Sequence, residues 1–277
     1  MRLAQFLMQN RSGLAGEILL GVFITLTFLG PIVYTAEPFK TNTPSRLQSP
    51  NDAEIFGTDN LGRDLLARTI LGSRISLYIS CLSVLFALMI GVPLGLLAGY
   101  FGGAIEELAM RVADILLAFP ALILALLIVS AMGPGINNAI LAIGTTEIPV
   151  FARVVRGAVL RVRRLDFVEA AHALGLGNIR ILIHHVLPNV RSIIIVQLTL
   201  SLAAAILTEA ALSFLGLGAP PPYQSLGGLV QEGFPFIERA WWYPILPGII
   251  VSISVLGSNL LGDGLRDLLD PRLRGVQ

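Results

Sequence analysis

Residues 76–100 read SLYISCLSVLFALMIGVPLGLLAGY and contain no charged side chain. The hydrocarbon core of a bilayer is about 30 Å thick, and a helix needs roughly 20 apolar residues to cross it. A helix also satisfies its backbone hydrogen bonds internally, which lipid cannot do for it. The stretch therefore predicts a membrane-spanning helix and places the chain among integral membrane proteins.

Further apolar runs of similar length lie on both sides of this stretch, so we predict an all-α membrane protein with about six spans. The breaker cluster Gly133-Pro134-Gly135 predicts a tight reversal between the third and fourth spans. The first run is longer than the apolar region of a signal peptide, about 7–15 residues, and predicts an uncleaved span. The predicted spans lie near residues 15–36, 76–100, 115–133, 136–157, 191–215 and 243–262, and residues 76–262 form the predicted transmembrane core.

The composition of the whole chain agrees with a membrane class. Of its 277 residues, 55% are hydrophobic and 13% are charged, and the mean hydropathy is +0.78. Soluble domains carry about 25% charged residues. The formal net charge of +1 gives no basic field that would indicate nucleic acid as a partner. The only cysteine, Cys81, cannot form a disulfide within the chain or build a metal site with other cysteines.

The arginines predict the orientation of the spans, because cytoplasmic loops retain Lys and Arg. They are concentrated around the loop 158–190, between the fourth and fifth spans. This loop is therefore predicted to be cytoplasmic, together with both termini, residues 1–14 and 263–277. Residues 37–75 are then external. Three arginines of this external segment run against the bias: Arg63, Arg68 and Arg74.

The loop 158–190 contains a predicted short helix. Asp166 precedes an apolar, Ala-rich run, and Glu169 follows three residues later, so Asp166 is the predicted N-cap of a helix over 167–174. Gly175 and Gly177 are expected to end this helix, and Pro188 is expected to prevent its continuation. These residues alone fit either a surface elbow or a docking element for a cytoplasmic partner.

The segment Glu169-Ala170-Ala171, followed by Gly175 and Leu187-Pro188, resembles the EAA loop of binding-protein-dependent ABC importer permeases. These permeases usually have Ile two positions before the Leu-Pro pair, whereas this chain has His185. A His at this position resembles the dipeptide, oligopeptide and nickel branch of that family. Other motifs that resemble the branch are GTDNLGRD at 57–64, MRVADILLAFP at 110–120, SFLGLG at 213–218 and NLLGDGLRD at 259–267.

The resemblance implies a type I permease fold and a mechanism in which the EAA helix fits a cleft on an ATPase subunit and transmits its closure to the spans. Glu169 is then expected to cap and orient the helix, Ala170 and Ala171 to keep its contact face small, and Gly175 to end it. The expected coupling residues are Asp166, Glu169, Ala170, Ala171, Gly175, Leu187 and Pro188.

The resemblance also implies partners and a location. The partners are a second homologous permease, two ATP-binding cassette ATPase subunits, and an extracytoplasmic binding protein that delivers a di- or oligopeptide. The location is a bacterial inner membrane, which the chain crosses several times.

The chain itself is not expected to be an enzyme. A P-loop needs a Gly-rich turn and a Lys that reaches the phosphates, whereas the only lysine, Lys40, has no such glycines before it. His172, His184 and His185 lack the spacing of a zinc protease motif. No catalytic residue, cofactor or metal site is therefore predicted, and ATP hydrolysis is assigned to separate subunits.

Two alternatives remain open. One is a nickel-importing permease of the same family, and the other is an ion-coupled secondary transporter. Ion-coupled carriers tend to place ionisable residues at mid-membrane, and the candidate pathway acids are Glu147 and Glu209. Each of these glutamates could equally be a structural acid hydrogen-bonded to a neighbouring span.

Two further patterns predict local contacts. Arg111 and Asp114 are three residues apart on a predicted helix, which favours an ion pair between them. Trp241-Trp242-Tyr243 opens the sixth predicted span and is typical of an interfacial aromatic belt.

Overall fold

The computed structural model describes residues 11–269, and within this range it contains helices but no β-strand. The segments 1–14 and 263–277, predicted to be cytoplasmic, lie partly outside the described residues. The helices are α1 (Arg11–Val33), α2 (Leu65–Phe101), α3 (Gly103–Leu117), α4 (Ala121–Met132), α5 (Ile136–Val162), α6 (Asp166–Ala173), α7 (Asn178–Phe214), α8 (Leu226–Gly233) and α9 (Trp242–Leu269). Five of these helices are long and apolar enough to cross a membrane: α1, α2, α5, α7 and α9.

The third predicted span, near 115–133, is divided in the structure. The chain forms two helices there, α3 and α4, which meet at 88°. Pro120 stands at the N-cap of α4, and proline disfavours a helical conformation in the residue before it. The 12 residues of α4 extend about 18 Å, less than the hydrocarbon thickness of about 30 Å. The sixth span therefore exists only if α3 and α4 are taken together.

The second span begins earlier than predicted, because residues 65–75 belong to α2 rather than to an external loop. The Asp64 carboxylate caps this helix by accepting a hydrogen bond from the Ala67 N–H at 2.7 Å. Asp64 also accepts from the Tyr34 hydroxyl. The Glu54 carboxyl contacts Asp64 and is partly buried. Both effects raise the pKa of Glu54 to about 7. With 37 residues, α2 extends about 55 Å and is longer than the hydrocarbon core is thick.

The centre of the structure is the pair α2 and α5, against which α7 packs. Gly91, Gly95 and Gly99 of α2 form a stripe at four-residue spacing that faces α5. A Cβ on any of them would come within 2.8 Å of an α5 atom. Small residues at this spacing let helix backbones approach closely in membranes. The lack of side chains at Gly91, Gly95 and Gly99 therefore allows α2 and α5 to pack in close contact.

We expect Gly95→Ala to lower the thermal unfolding midpoint of the purified protein. The added methyl carbon would lie 2.5 Å from the Ala152 carbonyl oxygen, so the helices must separate at a cost of about 1–3 kcal/mol. Gly21→Ala in α1 is the matched control, because it makes the same helical substitution where a Cβ meets no atom within 4 Å. Equal midpoints for the two variants would contradict the packing role of Gly95.

A buried network of charges joins the beginning of α2 to α8 and α9. Arg68 is 4% exposed, and it contacts Asp59 at 2.6 Å and Glu232 at 2.8 Å. Arg63 contacts Asp59 at 2.5 Å, and the Tyr243 hydroxyl donates to Glu232 at 2.8 Å. We call these five residues the Arg68 network. They explain why Arg63 and Arg68 run against the charge bias: both are paired with acids instead of lying in an open loop.

The interpretation of Trp241-Trp242-Tyr243 as an interfacial belt is wrong for two of its members. Trp242 is 7% exposed and Tyr243 is fully buried, whereas Trp241 is 53% exposed. Tyr243 is held inside because its hydroxyl belongs to the Arg68 network.

The predicted ion pair between Arg111 and Asp114 is also replaced by other contacts. Arg111 pairs with Glu107 at 3.0 Å, one turn earlier on α3. Asp114 instead pairs with Arg153 of α5. The Asp114–Arg153 pair links two helices, which the local spacing could not reveal.

Candidate functional site

The short helix α6 lies where α2 and α5 end, at the opposite end of α2 from the Arg68 network. The chain leaves α5 at Val162, turns, and begins α6 at Asp166. Leu165 occupies the N-cap position, and no side chain caps the helix, so the prediction of Asp166 as N-cap is wrong. Asp166 and Glu169 lie in the first turn, where negative charge is favourable because of the helix dipole.

The side chains of α6 divide into an inner and an outer face. Val168, 1% exposed, and Ala171, 4% exposed, belong to the main buried cluster of the chain. Ala170 is exposed on the outer face. The expectation that both alanines form the outer contact face is therefore wrong for Ala171, whose small size serves packing within this chain.

Glu169 lies on the outer face and is exposed. Within residues 11–269 its side chain makes no hydrogen bond or ion pair, so the expectation that it caps α6 is wrong. Phe167, 39% exposed, and the C-cap residue Leu174, 81% exposed, add apolar surface to this segment. The exposed surface of α6 and its C-cap thus combines the acids Asp166 and Glu169 with apolar side chains, an arrangement suited to contact with another protein.

α6 ends where Gly175 predicts. Gly175 has φ +76°, a conformation that glycine adopts without steric cost. Its N–H donates to the His172 carbonyl at 2.9 Å, and the Leu176 N–H donates to the Ala171 carbonyl at 3.2 Å. These two bonds form a Schellman motif. Leu176 packs against the main buried cluster. The turn is therefore held both by its two backbone hydrogen bonds and by apolar packing.

Pro188, which was expected to prevent helical continuation, lies within a helix. α7 runs from Asn178 to Phe214, and a π-helical turn occupies Leu182–Val186 just before Leu187-Pro188. A proline removes one backbone donor and its ring clashes with the carbonyl four residues earlier; the wider π turn accommodates both effects. Leu187 packs against the main buried cluster, and Pro188 is exposed. The fifth predicted span, 191–215, is thus the later part of a longer helix.

α6 and the end of α5 are both attached to the end of α2, by residues that the sequence did not single out for this purpose. The His172 ring lies 3.0 Å from the Tyr100 hydroxyl, and Arg163 donates to the carbonyl oxygens of Gly99 and Tyr100 at 3.0 and 3.2 Å. The four-residue glycine spacing was a readable signal for the packing of α2 on α5. Nothing in the sequence signalled Tyr100.

The two candidate pathway acids are buried and lie within reach of neighbouring helices. Glu147 of α5 is 8% exposed and contacts Ser201 of α7. Glu209 of α7 is 1% exposed and accepts from the Ser213 hydroxyl at 2.7 Å. Ser76 of α2 is also within its reach. These contacts fit the structural alternative, and the pathway role stays a prediction.

Among the described residues, no group of three or more His, Cys, Asp or Glu side chains could hold a metal ion. His184 contacts the Arg180 carbonyl one turn away, and His172 contacts Tyr100.

The helices and their order define a known class of membrane protein. An inward-facing structure of the MetNI methionine ABC transporter matches with a TM-score of 0.61 at 21% identity. The match covers 74% of this chain and 97% of the other. A second crystal form of MetNI matches with a TM-score of 0.54. The fold is therefore that of a type I ABC importer permease.

The sequence is related to named proteins over almost its whole length. The dipeptide transport system permease protein DppC of Alkalihalophilus pseudofirmus is 42% identical, over 97% of this chain and 88% of the relative. The di/tripeptide permease DppC of Pseudomonas aeruginosa is 42% identical, over 96% and 90%. The glutathione transport system permease protein GsiD of Pectobacterium atrosepticum is 43% identical, over 82% and 75%.

The family model for binding-protein-dependent transport system inner membrane components matches residues 91–275, which include α6 and its flanks. The chain belongs to this family and is a multi-pass inner membrane protein.

Proposed function

We propose that this chain is the permease subunit of an ATP-driven importer of di- and oligopeptides, and that a separate ATPase acts on α6. The observation that carries the proposal is the outer face of α6. Glu169 is exposed there and Leu174 is exposed at the C-terminal end of α6, and no described part of the chain covers either side chain. The names of the relatives support peptide as cargo over nickel, and they support an ABC importer over an ion-coupled carrier.

The source of energy follows from what the sequence lacks. Because the chain has no P-loop lysine, ATP must be hydrolysed by other subunits. We assign this role to two ATP-binding cassette ATPases, one of which receives α6. A second homologous permease completes the pathway, and an extracytoplasmic binding protein delivers the peptide.

The proposed orientation places α6 and both termini in the cytoplasm. Its support is the arginine distribution, since Arg161 lies in the last turn of α5 and Arg163 and Arg164 lie between α5 and α6. Arg63 and Arg68, on the proposed external side, are neutralised by Asp59 and Glu232.

The direct test is uptake of labelled dipeptides, oligopeptides and nickel by cells that lack this chain. We expect peptide uptake to fall to background and to return when the gene is restored, while nickel uptake is unchanged. A control strain lacks ATPase activity in the partner subunits and should show the same loss. Peptide uptake that collapses with an uncoupler but survives loss of the ATPase would instead establish an ion-coupled carrier.

A further inference from the structure

Tyr100, in the last turn of α2, lies where four segments of the chain meet. Its hydroxyl is 3.0 Å from His172 Nε2 of α6 and 3.4 Å from the side-chain oxygen of Asn178, where α7 begins. The rings of Tyr100 and His172 are stacked, with centroids 6.2 Å apart and an angle of 16° between planes. One side chain thus contacts both α6 and the start of the helix that follows it.

The backbone at the same position is bound to α5. Arg163, the C-cap residue of α5, donates to the carbonyl oxygens of Gly99 and Tyr100. The last carbonyl groups of a helix lack intrahelical partners, and a cation is favourable there because of the helix dipole. The end of α2 is therefore fixed to α5 through Arg163 and the Gly91, Gly95 and Gly99 stripe, and to α6 through Tyr100.

Among the described residues, the Tyr100–His172 contact is the one hydrogen bond made by an α6 side chain. The other attachments of α6 are apolar, through Val168 and Ala171. Apolar contacts resist separation but have little directionality, whereas a hydrogen bond depends strongly on geometry. A displacement of α6 along the core surface would reach α2 most directly through this polar contact.

We propose that Tyr100 is a positioning residue of the transport cycle, which transmits displacement of α6 to α2 through its contact with His172. The close glycine contacts then move α2 and α5 together. This inference rests on the proposed function, since it needs a partner that pushes α6. It goes further by naming the residue through which displacement of α6 is transmitted to the spans.

The test uses the intact transporter complex, reconstituted in lipid vesicles with its binding protein, and measures peptide uptake and ATP hydrolysis in the same sample. Tyr100→Phe and His172→Phe each remove the hydrogen bond but keep an aromatic ring for the stack. Tyr78→Phe is the control, because it removes a hydroxyl from the exposed face of the same helix. The Tyr78 hydroxyl has no hydrogen-bond partner in the part of the chain that the structure describes.

We expect the ATPase subunits to remain bound and to hydrolyse ATP in both variants, while peptide transported per ATP falls about fivefold or more, a typical allosteric coupling. The double variant should lose no more than Tyr100→Phe alone, because both changes remove the same Tyr100–His172 contact. Tyr78→Phe should keep the normal ratio. An unchanged ratio in Tyr100→Phe, additive losses in the double variant, or loss of the ATPase subunits from the complex would each overturn the proposal. Failure of the proposed function would show separately, as absence of ATP-dependent uptake by the unaltered complex.

Discussion

Gly175→Pro is expected to abolish ATP-dependent uptake while the protein remains in the membrane. Gly175 has φ +76°, whereas proline requires φ near −65°. Proline would also remove the N–H that donates to the His172 carbonyl. The Schellman turn is then lost, and α6 can no longer present its outer face at a fixed angle. The spans do not depend on this turn, so the loss should be confined to coupling with the ATPase.

Replacement by alanine isolates the backbone conformation as the cause. A Cβ at Gly175 or at Gly177 would meet no atom within 4 Å, so neither substitution causes a clash. Gly177 has φ −65°, which any residue adopts, but alanine at Gly175 must enter a left-handed conformation at a cost of about 1–2 kcal/mol. We therefore expect Gly175→Ala to reduce uptake and Gly177→Ala to leave it unchanged.

Glu169→Lys tests the outer face itself under the same assay. Because the Glu169 side chain is exposed and unpaired within residues 11–269, reversing its charge should not disturb the permease fold. We expect the ATPase subunits to be lost during copurification and uptake to fail. Full transport by both Glu169→Lys and Gly175→Pro would remove the assignment of α6 as the coupling helix.

Arg68→Met is expected to cause a large loss of stability. The variant keeps much of the side-chain volume but withdraws the cation that contacts Asp59 and Glu232. Asp59 is fully buried, and removing one partner of a buried ion pair costs about 3–5 kcal/mol. Arg63 still neutralises Asp59 in part, so we expect the lower end of this range. The measurement is the thermal unfolding midpoint and the amount of folded protein in the membrane.

Arg74→Met is the matched control for Arg68→Met. Arg74 lies on the same helix and is exposed, and within the described residues it has no ion-pair partner. Its loss should change the unfolding midpoint little, since exposed charges contribute little to stability. Arg68→Lys should fall between the two, because one ammonium group cannot reproduce the several contacts of a guanidinium. If Arg68→Met melts at the same temperature as Arg74→Met, the Arg68 network does not stabilise the fold.

Much of the fold could be predicted because a span depends on local composition. The runs at 136–157 and 243–262 lie within helices, and the run at 15–36 is helical up to Val33. The third run was predicted as one span because hydropathy averages over a window and does not register a bend. Only the consequence of Pro120 for the preceding backbone, seen in the 88° angle between α3 and α4, divides it.

In the candidate site, too, local features could be predicted from the sequence and packing could not. The position of α6 and its end at Gly175 could be predicted from short-range spacing. The burial of Ala171 could not, because an eight-residue helix with apolar residues around most of its surface has no unique inner face until it packs.

The sequence by itself determined that this chain spans a membrane several times, which side collects the arginines, and where the short helix ends. Each of these depends on residues that are neighbours along the chain, through hydropathy, charge or backbone conformation. Only the tertiary structure decided the Arg68 network and the contact between Tyr100 and His172. Their partners are far apart in sequence, such as Arg68 and Glu232. They meet because helices that are distant in the sequence pack together at the two ends of α2.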